Sequence, residues 1–186
     1  MSTNDRQYLK FYGVSLDDWT ETFGTFSNTH KLMLREYRSD AVSYDDSSEA
    51  SLTNSFLYPF DIERIYYMEG TAEGEFTLAA SGCSSTVTSY RVTICKTYKS
   101  AAVPDEELAT TQWRTVSFEL SWDAVNSIGQ ERVMPFYIHI SPEQQLTEGQ
   151  RLYLKIEVNC NSCTRLMHTN DPEWTDIWID IPFKGI

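Results

Sequence analysis

Gln150-Arg-Leu-Tyr-Leu-Lys-Ile-Glu-Val-Asn159 alternates apolar and polar side chains without a break. Leu152, Leu154, Ile156 and Val158 take every second position, interleaved with Tyr153, Lys155 and Glu157. Successive side chains of an extended strand point to opposite faces, so this run predicts a strand with one buried face. The same rhythm recurs in three other places. Val116, Phe118, Leu120 and Trp122 alternate with Thr115, Ser117, Glu119 and Ser121. Tyr90, Val92 and Ile94 alternate with Ser89, Arg91 and Thr93, and Ile177, Ile179 and Ile181 with Trp178 and Asp180.

Shorter apolar runs fill the gaps at Tyr8–Val14, Lys31–Tyr37, Ser51–Tyr58, Ile62–Tyr67, Glu75–Ala80, Val133–Ile140 and Thr164–His168. Pro135 places its run at a sheet edge or a bulge, because proline cannot donate to a ladder. Ser81-Gly82, Ser141-Pro142, Glu148-Gly149 and Asn170-Asp-Pro172 supply the turns. Strands at such spacing predict a sandwich or barrel. A single helical turn is expected around Pro104–Leu108, and Ser39–Asn54, polar and without period, reads as a long surface loop or linker.

Composition excludes several classes of function. The 186 residues carry a net charge of −12, and the densest basic stretch, Lys31, Arg35 and Arg38, is interrupted by Glu36 and Asp40. A phosphate-binding groove needs clustered cations that displace counterions, so nucleic acid and anionic membranes are poor partners. No apolar run approaches the ~20 residues that span a bilayer. Met1-Ser-Thr-Asn-Asp-Arg lacks the basic and apolar regions of a secretory signal, so synthesis in a cytosol without a signal peptide is expected.

Four cysteines, Cys83, Cys95, Cys160 and Cys163, include one close pair, Cys160-Asn-Ser-Cys163. Three arrangements are open: free thiols, a local Cys160–Cys163 bridge, or four thiolates around a structural zinc. The second pair is widely spaced, and the alternation puts Cys95 on the outer face of its strand, which argues against convergence on a metal. No cofactor other than that zinc is expected. His30, His139 and His168 stand without a recognisable nucleophile motif. Glu119 and Glu157 are the nearest approach to a glycosidase pair. Asp17-Asp18 and Asp45-Asp46 with Glu49 match no calcium loop. These readings predict a protein that is not an enzyme. Trp113, Tyr153, Trp174 and Trp178 fall at loops or on outer positions and form a candidate subunit interface or ligand platform.

Leu146-Thr-Glu-Gly-Gln-Arg-Leu-Tyr-Leu-Lys-Ile-Glu-Val-Asn159, a glycine turn launching an alternating strand, resembles a recurring phrase of jelly-roll proteins. Upstream, Tyr67-Met-Glu-Gly-Thr-Ala-Glu-Gly-Glu-Phe-Thr-Leu-Ala-Ala80 followed by Val87–Lys96 looks like the opening half of the same sandwich. The layout is similar to single jelly-roll structural proteins of virus and tailed-phage particles, where such subunits serve as decoration, fibre or capsid-associated proteins. The resemblance implies an all-β fold, a jelly-roll-like antiparallel β-sandwich over residues 55–186, with residues 1–54 as an N-terminal extension, either an arm or additional strands. It further implies a non-enzymatic virion subunit that forms homo-oligomers and contacts other virion proteins. The same architecture also carries carbohydrate- and receptor-binding modules, so a glycan or receptor is the alternative partner.

Overall fold

A computed structural model describes residues 6–16, 19–29, 31–36, 51–167, 170–171 and 174–184. Among them the regular elements are all strands. In chain order they are β1 (Arg6–Ser15), β2 (Glu21–Phe23), β3 (Phe26–Thr29), β4 (Lys31–Leu34), β5 (Ser51–Leu57), β6 (Tyr66–Ala80), β7 (Ser85–Tyr98), β8 (Glu106–Thr110) and β9 (Arg114–Leu120). They continue with β10 (Trp122–Asp123), β11 (Ile128–Gly129), β12 (Glu131–Leu146), β13 (Gln150–Cys160), β14 (Thr164–Leu166), β15 (Asn170–Asp171), β16 (Trp174–Thr175) and β17 (Ile177–Lys184).

The long strands pair in a nested order. β1 lies against β17, β5 against β13, β6 against β12, and β7 against β8 and β9, all antiparallel. First with last, second with last but one, and so inward, is jelly-roll topology. A single hydrogen-bonded path runs β12-β6-β17-β1-β4-β5-β13-β7-β8. It folds over at one parallel contact, Leu32 opposite Leu57, where β4 meets β5. One layer, here the front sheet, contains β12, β6, β17, β1 and β4; the back sheet contains β5, β13, β7, β8 and β9. At the far side β8 comes alongside β12, so the two layers nearly close into a barrel.

The inward residues are those that the alternation marks. Phe76, Phe136 and Ile138 from the front sheet face Val92, Ile94, Leu154 and Ile156 from the back, all at most 1% exposed. Burying each such side chain stabilises by about 1.5–3 kcal/mol. Phe76 stands edge-on to Tyr90 at 5.4 Å, and the Tyr90 hydroxyl donates to the Pro135 carbonyl at 3.0 Å, which joins the layers.

Several expectations are revised. The Pro104–Leu108 region is not helical: Pro104 and Asp105 are irregular and lead into strand β8, whose Thr110, Ala109, Glu107 and Glu106 pair along β7. Ile62 to Ile65 is loop, and β6 starts at Tyr66. Lys31–Leu34 is shorter than the sequence run, and Tyr37 lies outside the described residues, as do His30, His168, the Asp17-Asp18 pair and Ser39–Ala50. β1 is a full member of the front sheet, hydrogen-bonded to β17 on one side and β4 on the other.

Candidate functional site

The outer face of the back sheet is covered by one hairpin. β2 and β3 are joined by Gly24-Thr25, with Gly24 at φ 58°, a left-handed conformation that favours glycine. A side chain at Gly24 would overlap the Tyr98 carbonyl oxygen, so the hairpin tip lies directly on β7. Phe23 and Phe26 then pack on Leu57, Cys95 and Tyr153, a small second core on the outside of the back sheet. Arg151 fastens the hairpin from below. It ion-pairs with Glu21 at 2.5 Å and with Asp61 at 2.9 Å, and its guanidinium stacks 4.1 Å from the Phe23 ring centre.

Burial under this hairpin governs the local chemistry. Tyr153 is 6% exposed, and its hydroxyl donates to Asp105 at 3.2 Å, while Thr25 donates to the same oxygen at 2.7 Å. Desolvation, with the Cys95 and Asp105 neighbours, pushes the Tyr153 phenol well above its ordinary value. Desolvation likewise pushes the Cys95 thiol up to about 11, so it stays protonated and unreactive near neutral pH. Beyond the hairpin, Arg91 meets Glu157 at 2.7 Å and Lys155 meets Glu107 at 2.8 Å. The Lys155 hydrogen bond holds the Glu107 carboxyl below the usual range.

The sequence-predicted site residues do not converge. Tyr153 was expected outside and does point outward, but the hairpin covers it; it belongs to no exposed platform. Trp113 is 45% exposed on the back side, where the Arg91 guanidinium lies 5.3 Å from its ring centre. Trp178 is half-buried on the front sheet, with its Nε1 donating to Glu75 at 3.1 Å. Trp174 pairs through β16 with β15, and its side chain lies outside the described residues. Glu119 and Glu157 stand opposite Thr86 and Arg91 of β7, five positions apart. At ~3.4 Å per residue that is about 17 Å, beyond the ~5–9.5 Å that glycosidase carboxylates span.

Among the cysteines, Cys83 and Cys163 form a disulfide with Cα atoms 5.5 Å apart, and Cys95 and Cys160 are free and buried. The local Cys160–Cys163 bridge is therefore corrected to a long-range one. A four-thiolate zinc site does not fit either. Cys95 sits in the outer cluster beneath the hairpin, Cys160 faces the main core on the other side of the sheet, and the remaining two sulfurs are bonded to each other. Among the described residues there is no group of three or more His, Cys, Asp or Glu poised around a metal.

The front sheet is open on its outer side over β12, β6, β17 and the first half of β1; on the same side at β1 and β4, Val14, Leu16, Leu32 and Leu34 form a further buried cluster, with Tyr12 and Trp19 packed against it. Tyr137 of β12, Glu73 of β6, Asp180 of β17 and Lys10 of β1 form one cross-strand row. The next row brings Pro135, Glu75, Trp178 and Tyr12 together. Tyr8, Val133 and Tyr137 are each more than half exposed, at 53%, 53% and 54%. Lys10 lies 4.3 Å from the Trp178 ring centre and 3.9 Å from Asp180, while no described residue forms an ion pair with Glu73. At the rim, Glu69 is held by Lys184 and by Arg6 at 3.4 Å, and the Lys184 hydrogen bond keeps its carboxyl below the usual range. Sequence alternation marks Trp178 as outward, between Ile177 and Ile179; what it lacks is any sign of which outer face a hairpin covers.

Comparison with solved structures supports the architecture. A CocE/NonD family hydrolase from Staphylococcus aureus superposes in two crystal structures with TM-scores of 0.56 and 0.59, at 12% identity over 97% and 98% of this chain. An aminopeptidase from a marine sediment archaeon, Thaumarchaeota archaeon, gives a TM-score of 0.58 at 9% identity over 97% of this chain. The likeness is one of fold alone. This chain spans 37% of the length of each of those proteins. No family model and no curated protein matches the sequence.

Proposed function

We propose that the protein is a non-catalytic structural subunit, a rigid jelly-roll body that self-associates and contacts neighbouring proteins in a virus or phage particle. The observation that carries this reading is the exposed part of the front sheet's outer face, where Tyr8, Val133 and Tyr137 stand exposed around the Glu73–Asp180 row. Tyrosine and tryptophan are favoured anchors of protein interfaces, because they bury large area at small entropic cost. Like charges directly opposite on adjacent strands are unfavourable in an isolated sheet, and a neighbour bearing cations over Glu73 and Asp180 relieves them. The disulfide supports a particle that leaves the cell, since such bonds persist outside a reducing cytosol. Catalysis by the fold's titratable groups is disfavoured by the separation of Glu119 from Glu157 and by the protonated, buried Cys95.

Native mass spectrometry with light scattering tests the reading. The expected result is an oligomer of fixed stoichiometry at micromolar concentration that Tyr137→Arg or Val133→Glu converts to monomer with an unchanged melting temperature. Both side chains are exposed, so neither change disturbs the core. A monomer at every concentration, alone and with particle proteins, contradicts it.

One feature favours a second reading, a glycan- or receptor-binding module. The exposed Tyr137 ring beside the Glu73 carboxylate offers a stacking surface next to a hydrogen-bond acceptor. Under that reading a glycan panel alters Trp178 fluorescence and Tyr137→Ala abolishes the change; under the assembly reading no glycan does so.

A further inference from the structure

At the end of the sandwich where β4 passes to the back sheet, two cavities open side by side. The first, about 230 Å³, is lined mainly by Leu9, Phe11, Ile62, Leu146, Leu152 and Phe183. The second, about 270 Å³, is lined by Leu16, Trp19, Leu32, Leu34 and Phe60. Arg35 and Tyr58 belong to both and form the wall between them.

Three donors line the cleft, Arg35 and Tyr58 at the shared wall and Trp19 in the second cavity, and of these Trp19 Nε1 is the buried one without an acceptor among the described residues. The Arg35 guanidinium lies 5.5 Å from the Phe11 ring centre and makes no hydrogen bond or ion pair with a described residue. Tyr58 is fixed edge-on between Phe11 at 5.5 Å and Phe60 at 5.4 Å, and its hydroxyl likewise meets no acceptor among the described residues. Two acids border the cavities. Asp61 is occupied by Arg151, through hydrogen bonds of 3.0 and 2.9 Å, and Glu36 is exposed at the rim of the second. A buried donor without an acceptor costs about 1–3 kcal/mol, which an acceptor brought by a ligand recovers.

We infer that this paired cleft binds a small hydrophobic carboxylate, its tail in the apolar lining and its carboxylate on Arg35 at the shared wall. Guanidinium and carboxylate match as a planar fork. Each cavity alone is smaller than the ~300–1,000 Å³ of a site for a drug-sized ligand, which favours a narrow, single-chain molecule. The net charge of −12 does not prevent this. At physiological salt the Debye length is about 8 Å, so distant carboxylates are screened while a direct contact with Arg35 is not.

Isothermal titration of the full chain with decanoate, decanol and decylamine, below their aggregation concentrations, tests the inference. The expected result is saturable binding of one decanoate per chain, at least tenfold weaker binding of decanol, and none of decylamine. Arg35→Ala weakens decanoate at least tenfold, Arg35→Lys restores part of the loss, and Trp19→Phe weakens it less than Arg35→Ala does. Arg35 is exposed, so its variants keep the wild-type melting temperature, which is measured alongside. Equal affinity for all three probes, an unchanged Arg35→Ala, or no saturable decanoate binding overturns it.

Discussion

Replacing Cys83 by serine is expected to lower the stability of the protein by about 2–5 kcal/mol. The bond joins the β6–β7 turn to the β13–β14 turn across a sequence separation of 80 residues. In the chain-entropy account, closing a loop of that length restrains the unfolded ensemble by about 4.5 kcal/mol. The folded state loses little when the bond is removed, because the same junction is held by other contacts. Ser81 N donates to the Cys163 carbonyl at 2.9 Å, Asn161 N to the Thr86 carbonyl at 3.1 Å, and the Ser85 and Thr164 hydroxyls share a buried hydrogen bond. Against a typical total of about 5–15 kcal/mol for a domain, the loss is severe. Urea unfolding of Cys83→Ser, with Cys160→Ser as a single-thiol control, measures it. A change under about 0.5 kcal/mol, the ordinary range for surface substitutions, contradicts the assignment, as does finding four free thiols in the unreduced, unfolded wild type.

Phe76→Ala is expected to cost about 3–5 kcal/mol. Phe76 is fully buried on β6, edge-on to Tyr90 at 5.4 Å and tilted against Phe136 at 6.2 Å. It therefore touches both layers, and the alanine leaves a hole that neither rigid sheet can close. Its aromatic pairs add about 0.5–1.5 kcal/mol each beyond the buried area. For a chain of this size each kcal/mol moves the melting temperature by about 2–4 °C, so a loss near 10 °C is expected. Phe76→Leu keeps most of the volume and loses clearly less. Equal losses for the two variants, or a drop of only a degree or two for the alanine, are incompatible with a core centred on this ring.

Much of this architecture is legible in the sequence because half-buried strands write their burial into the residue order. Val92 and Ile94, or Leu154 and Ile156, point inward as their period demands. The run containing Pro135 is an edge strand, as its missing N–H requires. What stays hidden is anything that depends on a third layer or on distant pairing. Alternation puts Tyr153 and Cys95 outward, and they are outward, yet both are buried because Glu21–Phe23 and Phe26–Thr29 fold over them. The Gly24-Thr25 pair between short aromatic runs was the available signal for that hairpin. Strand β8, with two glutamates at its start, resembles the first turn of a helix, and pairing with β7 overrides that local preference. The partner of Cys163 was not readable from spacing, since the 80-residue separation closes only when β6–β7 and β13–β14 meet at one end of the sandwich.

Both functional proposals depend on β1. It supplies Tyr8 and Lys10 to the open part of the front face and Leu9 and Phe11 to the cleft, and it does so only while seated between β17 and β4. Hydrogen–deuterium exchange over residues 6–15 tests that seating directly. Amides paired with β17 are expected to exchange as slowly as those of β6 and β13, through opening of the whole sandwich. Exchange of this segment at the rate of an unstructured chain, with β6 and β13 still protected, would mean that it is a free arm and that neither surface exists as described.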